Sequence, residues 1–191
     1  GEHIASIARL IEIRQKDPGG LAIDLFLDEN KPDQMKFIDD SILSPNMMIA
    51  SDAMPFTIDG RTVNGDVWPL PPTAYAHPRS AATFTRVLER YVREKKAMTV
   101  TEFVRRASLL PANLLAMATP DAKRKGRLQV GMDADIVIFD LDQIKVKATY
   151  ENPRTPSSGM RYVMVGGQFI ISDGKLLPDV RPGRPLRGPA R

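Results

Sequence analysis

The hydrophobic pattern of this chain changes near Lys125, and this change constrains the fold more than any other feature. Before it, apolar residues recur at the three- and four-residue spacing of amphipathic helices, first in the run from Ile4 to Ile13. After it, short apolar runs alternate with glycine-containing turns, which is typical of antiparallel strands. We therefore predict an α/β chain with a helical part over residues 1–124 and a smaller β part over residues 125–191.

The turns of the β part can be placed from the sequence. Gly166–Gly167 separates two apolar runs, and a diglycine is favoured in two-residue hairpins because both positions need a positive φ. The "SDG" sequence at Ser172–Gly174 predicts a second turn, and "DIVIFD" at Asp135–Asp140 predicts a further buried strand.

The helical part contains several recognisable start signals. Pro32 occupies a plausible first helical position of "KPDQMKFIDDSIL". Thr99 and Glu102 have the spacing of a capping box, and Pro111 predicts a break between two short helices. Another helix is expected over residues 80–96, with an apolar face made by Phe84, Val87, Leu88, Tyr91 and Val92.

A short apolar run, Met47–Ala50, predicts a buried strand whose methionines lie in the core and which leads into Asp52 instead of a Gly or Asn turn. Asp52 either accepts backbone hydrogen bonds at this turn, or stands at the carboxyl edge of an α/β sheet or barrel, where functional residues collect. The residues alone leave both interpretations open. The proline-rich segment that follows, residues 53–80, is predicted to be an irregular covering loop.

Composition excludes several classes of protein. Hydrophobic residues make up 42% and charged residues 26%, as in an ordinary globular protein with a core. No apolar run approaches the roughly 20 residues that cross a bilayer, so no membrane association is predicted. The net charge of +4 comes from scattered basic residues. The densest basic run, Lys123–Arg127, is short and lacks interleaved aromatic residues, so no nucleic-acid partner is predicted.

Metal-binding residues are scarce in the chain. It has no cysteine, which excludes disulfides and thiolate ligands within it. Its two histidines, His3 and His77, lie far apart, and neither an HxH nor an HExxH motif occurs. Because zinc enzymes normally recruit two or three histidines, the chain alone predicts no standard zinc site.

Several stretches resemble the amidohydrolase superfamily. "KGRLQVGMDADIVIFD" is similar to the sequence with which these chains leave their metal-dependent barrel, and "YVMVGGQFIISDGK" resembles the strand pair that follows. The resemblance narrows to the carboxyl-terminal part of D-aminoacylases, the N-acyl-D-amino-acid deacylases. It is carried, in order, by "IASDAMP", "HPRSAATFTRVLERYVRE" and "VTEFVRRASLLPANLL".

This resemblance implies a fold and a larger context. Residues 1–124 would hold the last strand and helices of a (β/α)8 amidohydrolase barrel, and residues 125–191 part of a small β-sandwich with an extended tail. The chain would be the C-terminal fragment of a longer cytoplasmic enzyme whose N-terminal part is missing. Zinc would be bound by the full-length enzyme, whereas the isolated fragment would bind none and be inactive.

The resemblance also implies roles for two residues. Asp52 matches the aspartate at the end of the last barrel strand, which acts first as a general base and then as a general acid. No residue is assigned as a certain metal ligand, although Asp52 is a possible one in a complete site. Arg79 matches the arginine that binds the α-carboxylate of the substrate, a task that suits a planar guanidinium. His77, beside Pro78, is expected to be structural.

The implied reaction is hydrolysis of a small-molecule N-acyl-D-amino acid to a D-amino acid and a carboxylate. Two alternatives remain open: a cyclic-amide hydrolase of the hydantoinase or dihydroorotase kind, and a non-catalytic scaffold module without metal. The sequence departs from the D-aminoacylase pattern in a long insertion between Asp52 and His77, and in Ala53, where glycine is common. Both departures affect the expected substrate pocket.

Overall fold

A computed structural model describes residues 32–45, 47–53, 55–58, 60–63, 67 and 70–188 of the chain. The helix predicted over Ile4–Ile13 lies outside these ranges. The chain divides into two compact units, Gly1–Met47 and Met48–Arg191.

The described part of the first unit is dominated by helix α1, Pro32–Leu43. Pro32 is its first residue, as predicted. This position suits proline because the ring fixes φ, and the main-chain N–H that proline lacks would have no partner within the helix. Lys36 and Asp40, four residues apart, form an ion pair on its exposed face.

The strand predicted over Met47–Ala50 is wrong. The Ile49 N–H donates to the carbonyl oxygen of Arg106, at 3.1 Å, and not to a neighbouring strand. Ile49 is 3% exposed, but Met47 and Met48, which were expected in the core, are exposed. A strand exists only through its ladder of hydrogen bonds to another strand, and no strand of the described residues pairs with this segment.

The segment after Asp52 contains more order than the predicted irregular loop. Strands β1 (Thr57–Ile58), β2 (Arg61–Thr62) and β3 (Ala74–Tyr75) form an antiparallel sheet in the order β2-β1-β3. Strands of two residues are too short to produce a periodic hydrophobic pattern, so this small sheet could not be predicted from the sequence.

Helix α2, Arg79–Val87, continues directly into a π-helical segment, Leu88–Glu94. Together they confirm the helix predicted over residues 80–96. Four of the five predicted face residues are buried, namely Val87, Leu88, Tyr91 and Val92. Phe84 differs from the prediction, because 42% of it is exposed.

The next helical stretch consists of α3 (Val100–Val104), a π-helical segment (Arg105–Leu109) and α4 (Leu110–Leu115). Thr99 caps α3 as predicted, with its Oγ1 accepting from the Glu102 N–H at 3.1 Å. The Glu102 carboxylate instead binds Arg105 through two hydrogen bonds, which lowers the pKa of Glu102.

The break predicted at Pro111 is also wrong. The π-helical segment leads into α4 without interruption, and Pro111 is the second residue of α4. We attribute this continuity to the π-helical segment, because a π turn is wider than an α turn and can accommodate a proline, which cannot donate a main-chain hydrogen bond. A short 3₁₀ helix, Pro120–Arg124, ends the helical part.

The part after residue 125 contains antiparallel strands, as the sequence predicted, and they form one four-stranded sheet. Its strands are β4 (Ile136–Phe139), β5 (Met160–Val165), β6 (Gln168–Ser172) and β7 (Lys175–Leu176), in that order. Both predicted turns are confirmed as two-residue hairpins with positive φ, at Gly166–Gly167 (55° and 84°) and at Asp173–Gly174 (47° and 74°).

Two charged side chains attach the π-helical segment after α2 to the connection between β4 and β5. Glu89 accepts from the Val146 N–H at 2.9 Å. Arg93 donates to the carbonyl oxygens of Leu141, at 3.1 Å, and of Ile144. Glu89 and Arg93 also pair with each other at 3.0 Å. The first part of the connection, residues 141–146, is therefore held against this helical segment.

A second charged cluster lies at the junction between the helical part and the sheet, and explains the "GMDAD" sequence. Lys125 Nζ lies 2.9 Å from Asp133 Oδ2 and 2.6 Å from Asp135 Oδ2. Arg124 also pairs with Asp133 at 3.0 Å, and Asp135 accepts from the Gly166 N–H at 2.8 Å. The two aspartates thus tie the end of the 3₁₀ helix to the first hairpin. Hydrogen bonds from Lys125 and then Arg124 hold the pKa of Asp133 below its usual value.

None of the helices in the described ranges combines the length and the apolar character that a membrane crossing needs.

Candidate active site

Asp52 lies in an irregular segment with its side chain exposed to solvent. Its φ is +46°, in the left-handed region that aspartate tolerates better than most residues. The side chain that accepts a backbone hydrogen bond in this segment is Ser51, whose Oγ receives the Ala53 N–H at 3.3 Å. The Asp52 side chain is 88% exposed and is therefore accessible from solvent.

Arg79 is the first residue of α2, and its Nη2 lies 3.3 Å from Asp52 Oδ2. The two site residues predicted from the sequence are therefore neighbours, although the whole insertion separates them along the chain. The Arg79 side chain is 24% exposed, and its Nε is buried with no hydrogen-bond partner among the described residues. The group of Arg79 that meets an acceptor is therefore Nη2, at the partly exposed end of the guanidinium.

His77 lies beside Arg79 and Tyr150 lies against His77, and only His77 attracted attention in the sequence. His77 Nδ1 accepts from the Arg79 N–H at 3.1 Å. Its Nε2 lies 3.4 Å from the Tyr150 hydroxyl, and the two rings meet edge to face with centroids 5.3 Å apart. Tyr150 could not be found from the sequence, because it lies in another part of the chain and belongs to no motif.

The connection between β4 and β5 supplies one side of this region. Arg154 donates to the carbonyl oxygen of Pro71, in the insertion, and the hydroxyls of Ser157 and Thr85 lie 2.7 Å apart. The connection therefore contacts both the insertion and α2. The candidate site thus lies where the insertion, α2 and this connection meet.

The described residues do not fit a metal site by themselves. They contain no group of three or more His, Cys, Asp or Glu side chains that could hold a metal ion. Asp52, the one carboxylate that the sequence singled out, has the Arg79 guanidinium as its neighbour, and this positive charge would repel a divalent cation.

The sequence model of the amidohydrolase family matches residues 38–171 of this chain. The N-acyl-D-glutamate deacylase of Alcaligenes xylosoxydans xylosoxydans is 41% identical over 118 residues, which is 62% of this chain and 23% of that protein. The N-acyl-D-aspartate deacylase of the same organism is 32% identical over 125 residues, 65% of this chain and 24% of that protein. The chain spans about a quarter of the length of these relatives.

Solved structures give the same result. The N-acyl-D-glutamate deacylase of Bordetella bronchiseptica, complexed with zinc and a phosphonate inhibitor that mimics the tetrahedral intermediate, is 34% identical with a TM-score of 0.58. The match covers 83% of this chain and 28% of that one. A D-aminoacylase structure is 26% identical with a TM-score of 0.56, and the match covers 77% of this chain and 26% of that one. The α/β fold described above is therefore that of the corresponding part of a D-aminoacylase, and the chain belongs to the amidohydrolase family.

Proposed function

We propose that this chain is the C-terminal part of a longer, zinc-dependent N-acyl-D-amino-acid deacylase. The enzyme hydrolyses the amide bond of its substrate and releases a D-amino acid and a carboxylate. The similar proteins named above act on N-acyl-D-glutamate and N-acyl-D-aspartate, and the chain spans about a quarter of their length.

The observation that carries this proposal is the 3.3 Å contact between Asp52 and Arg79. In an N-acyl-D-amino acid a single carbon separates the carboxylate from the nitrogen of the scissile amide. A site for it therefore needs a fixed positive charge close to a group that can carry a proton. Arg79 and Asp52 supply these two groups side by side.

Asp52 carries the proton during the reaction. It takes a proton from the water that attacks the amide carbonyl, so that a C–O bond forms. It then returns this proton to the amide nitrogen as the C–N bond breaks, and the amine leaves neutral. The exposed position of its carboxylate leaves room for both water and substrate.

Arg79 binds the α-carboxylate of the substrate. Its pair with Asp52 is worth little, about 0–1 kcal/mol, because Asp52 is almost fully exposed. A substrate carboxylate can therefore replace Asp52 beside the guanidinium at small cost. This exchange also releases Asp52 for proton transfer.

The rest of the site comes from outside the described residues. Residues 1–124 supply the last helices of a (β/α)8 barrel and the segment Met47–Ala50, which has no strand partner among the described residues, and residues 125–191 supply part of a β-sandwich and an extended tail. The N-terminal part of the same protein supplies the zinc ligands and the other barrel strands. The sheet β4–β7 supports this division, because its strands all follow residue 125.

The proposal is tested with the full-length natural protein and a panel of N-acyl-D-amino acids, their L-enantiomers and cyclic amides. Asp52→Asn should lower the turnover of D-substrates by ~10²–10⁴-fold and leave substrate binding largely intact. Asp173→Asn is a matched control, because Asp173 also has a left-handed φ, of 47°. Near-normal turnover in Asp52→Asn, or activity on cyclic amides alone, would contradict the proposal.

Arg79 is tested by comparing each carboxylate substrate with its neutral carboxamide analogue. Arg79→Ala should reduce kcat/KM for the carboxylate by ~2–5 kcal/mol in transition-state stabilisation, and hardly at all for the carboxamide. Arg79→Lys should also reduce it, because an ammonium group cannot form the paired hydrogen bonds. Equal losses on both substrates would show that Arg79 supports the fold instead.

A further inference from the structure

We infer that His77 and Tyr150 are positioning residues that hold Arg79 in the orientation needed to bind the substrate carboxylate. The inference rests on the proposed function, in which Arg79 is the carboxylate anchor. Neither residue need touch the substrate: His77 would act on the main chain of Arg79, and Tyr150 would act on the ring of His77.

His77 holds the start of α2. The first N–H groups of a helix have no carbonyl partner within the helix, and they need another acceptor. Pro78 has no N–H and makes no side-chain hydrogen bond to the helix end. His77 Nδ1 accepts the Arg79 N–H at 3.1 Å, and the His77 carbonyl oxygen accepts the Ser80 N–H at 2.9 Å. The backbone of Arg79 is therefore fixed by the residue two positions before it.

Tyr150 in turn fixes the His77 ring. Because Nδ1 accepts a hydrogen bond, the neutral ring carries its proton on Nε2. This Nε2 faces the Tyr150 hydroxyl at 3.4 Å, which is a long and weak hydrogen bond. The edge-to-face contact of the rings, at 5.3 Å, adds an aromatic interaction. The imidazole is thus held at both of its nitrogens.

Tyr150 is presented by a small closed turn. The Thr149 N–H donates to the Asn152 carbonyl oxygen, at 3.3 Å, and the Asn152 N–H donates to Thr149 Oγ1, at 3.1 Å. Ala148, just before the turn, is buried. The contact between Ser157 and Thr85 attaches the same connection to α2. The turn that carries Tyr150 is therefore linked to α2 independently of His77, so the Tyr150 ring can hold a fixed position against the His77 ring.

The experiment uses the full-length protein and the carboxylate and carboxamide substrates described for Arg79. His77→Ala should raise KM for the carboxylate by roughly 2- to 12-fold, the effect of losing one net hydrogen bond, with little change in kcat. KM for the carboxamide should stay unchanged. His77→Asn should restore most of the loss, because an asparagine side chain can accept an N–H from two residues further along the chain.

Tyr150→Phe gives an independent measurement, because it keeps the ring contact and removes only the hydroxyl. It should raise KM for the carboxylate by less than His77→Ala does, and again leave the carboxamide unaffected. Circular dichroism of each variant checks that the fold is kept. If His77→Ala does not fold, Tyr150→Phe and the comparison of His77→Asn with His77→Gln decide the question, since the longer Gln side chain is not expected to restore the local bond.

The results separate this inference from the proposed function. If Arg79→Ala affects both substrates equally, the proposed function fails. If Arg79→Ala discriminates between them but the His77 and Tyr150 variants do not, the positioning role alone is overturned. The same conclusion follows if His77→Asn is no better than His77→Ala or His77→Gln, because the ring would then serve only packing.

Discussion

Replacing Asp135 by Asn should loosen the hairpin between β5 and β6, because it removes one charge from the cluster formed by Arg124, Lys125, Asp133 and Asp135. In the structure, Asp135 Oδ1 accepts the Gly166 N–H at 2.8 Å and Oδ2 lies 2.6 Å from Lys125 Nζ. Asparagine keeps an oxygen for Gly166 but loses the ion pair with Lys125. The variant therefore tests the charge of Asp135 and not its shape.

The expected magnitude follows from the burial of this pair. The side chains of Lys125 and Asp135 are 27% and 31% exposed, so the pair is neither a surface ion pair, worth ~0–1 kcal/mol, nor a fully buried one. Charge-assisted hydrogen bonds with less solvent are worth ~1.5–3 kcal/mol. We expect a loss of about 1–2 kcal/mol in the free energy of local opening, which corresponds to about 5–30-fold faster exchange.

The effect should depend on pH in a defined direction. Burial alone would raise the pKa of Asp135, but hydrogen bonds from Lys125 and the Gly166 N–H outweigh it and hold the pKa below its usual value. A carboxyl with a lowered pKa in the folded state contributes its full stability above its unfolded pKa of ~3.9. This contribution is lost as the pH falls through the lower, folded value. The difference between wild type and Asp135→Asn should therefore be complete at pH ~7 and shrink below pH ~4.

Hydrogen–deuterium exchange of peptides covering Met160–Ser172, in the full-length protein, measures this local opening. Asp173→Asn serves as the control, because its partner Arg161 and Asp173 itself are both well exposed, and it should change exchange little. Unchanged protection in Asp135→Asn at neutral pH would refute the reasoning. A difference that is as large at pH ~3 as at pH ~7 would show that Asp135 acts as a neutral acceptor.

Three further predictions concern packing and metal content. Gly126→Ala should cost ~1–3 kcal/mol more than Gly131→Ala in the free energy of thermal or denaturant unfolding. Both glycines have a positive φ, but of the two only Gly126 would bring a Cβ against another atom, the Ser108 oxygen at 2.7 Å. Equal losses would argue against this clash. Leu88→Ala should cost ~2–5 kcal/mol, more than Phe84→Ala, because Leu88 is fully buried; the reverse order would contradict the described core. The isolated 191-residue chain should hold no stoichiometric zinc and show no deacylase activity, and elemental analysis that finds one tightly bound zinc per chain would overturn this.

Features of the fold that depend on a few adjacent residues could be predicted from the sequence. Gly166–Gly167 and Asp173–Gly174 form the expected turns because their positive φ is a local requirement. Thr99 caps its helix because the N–H that it accepts lies three residues away. The predicted division of the chain into two domains, residues 1–124 and 125–191, stays a prediction.

Features that depend on distant residues could not be predicted. The strand expected over Met47–Ala50 was wrong because apolar character alone does not provide a neighbouring strand. Asp52 and Arg79 were found through resemblance, and their roles stay predictions, but no local pattern indicated their 3.3 Å contact. Tyr150 was missed entirely, because its contact with His77 arises from the path of the connection between β4 and β5.

The contact between Asp52 and Arg79 closes residues 53–78 into a loop at its base. The entropy of closing a flexible loop rises slowly with length, by only ~0.6 kcal/mol for each doubling. Residues can therefore be added to or removed from this segment while the two charged groups stay together. Variation in the segment would change what surrounds a bound molecule without changing the groups proposed to act on it. Under the proposed function, the insertion is thus a part of this chain in which natural divergence, or a designed loop library, can alter substrate range.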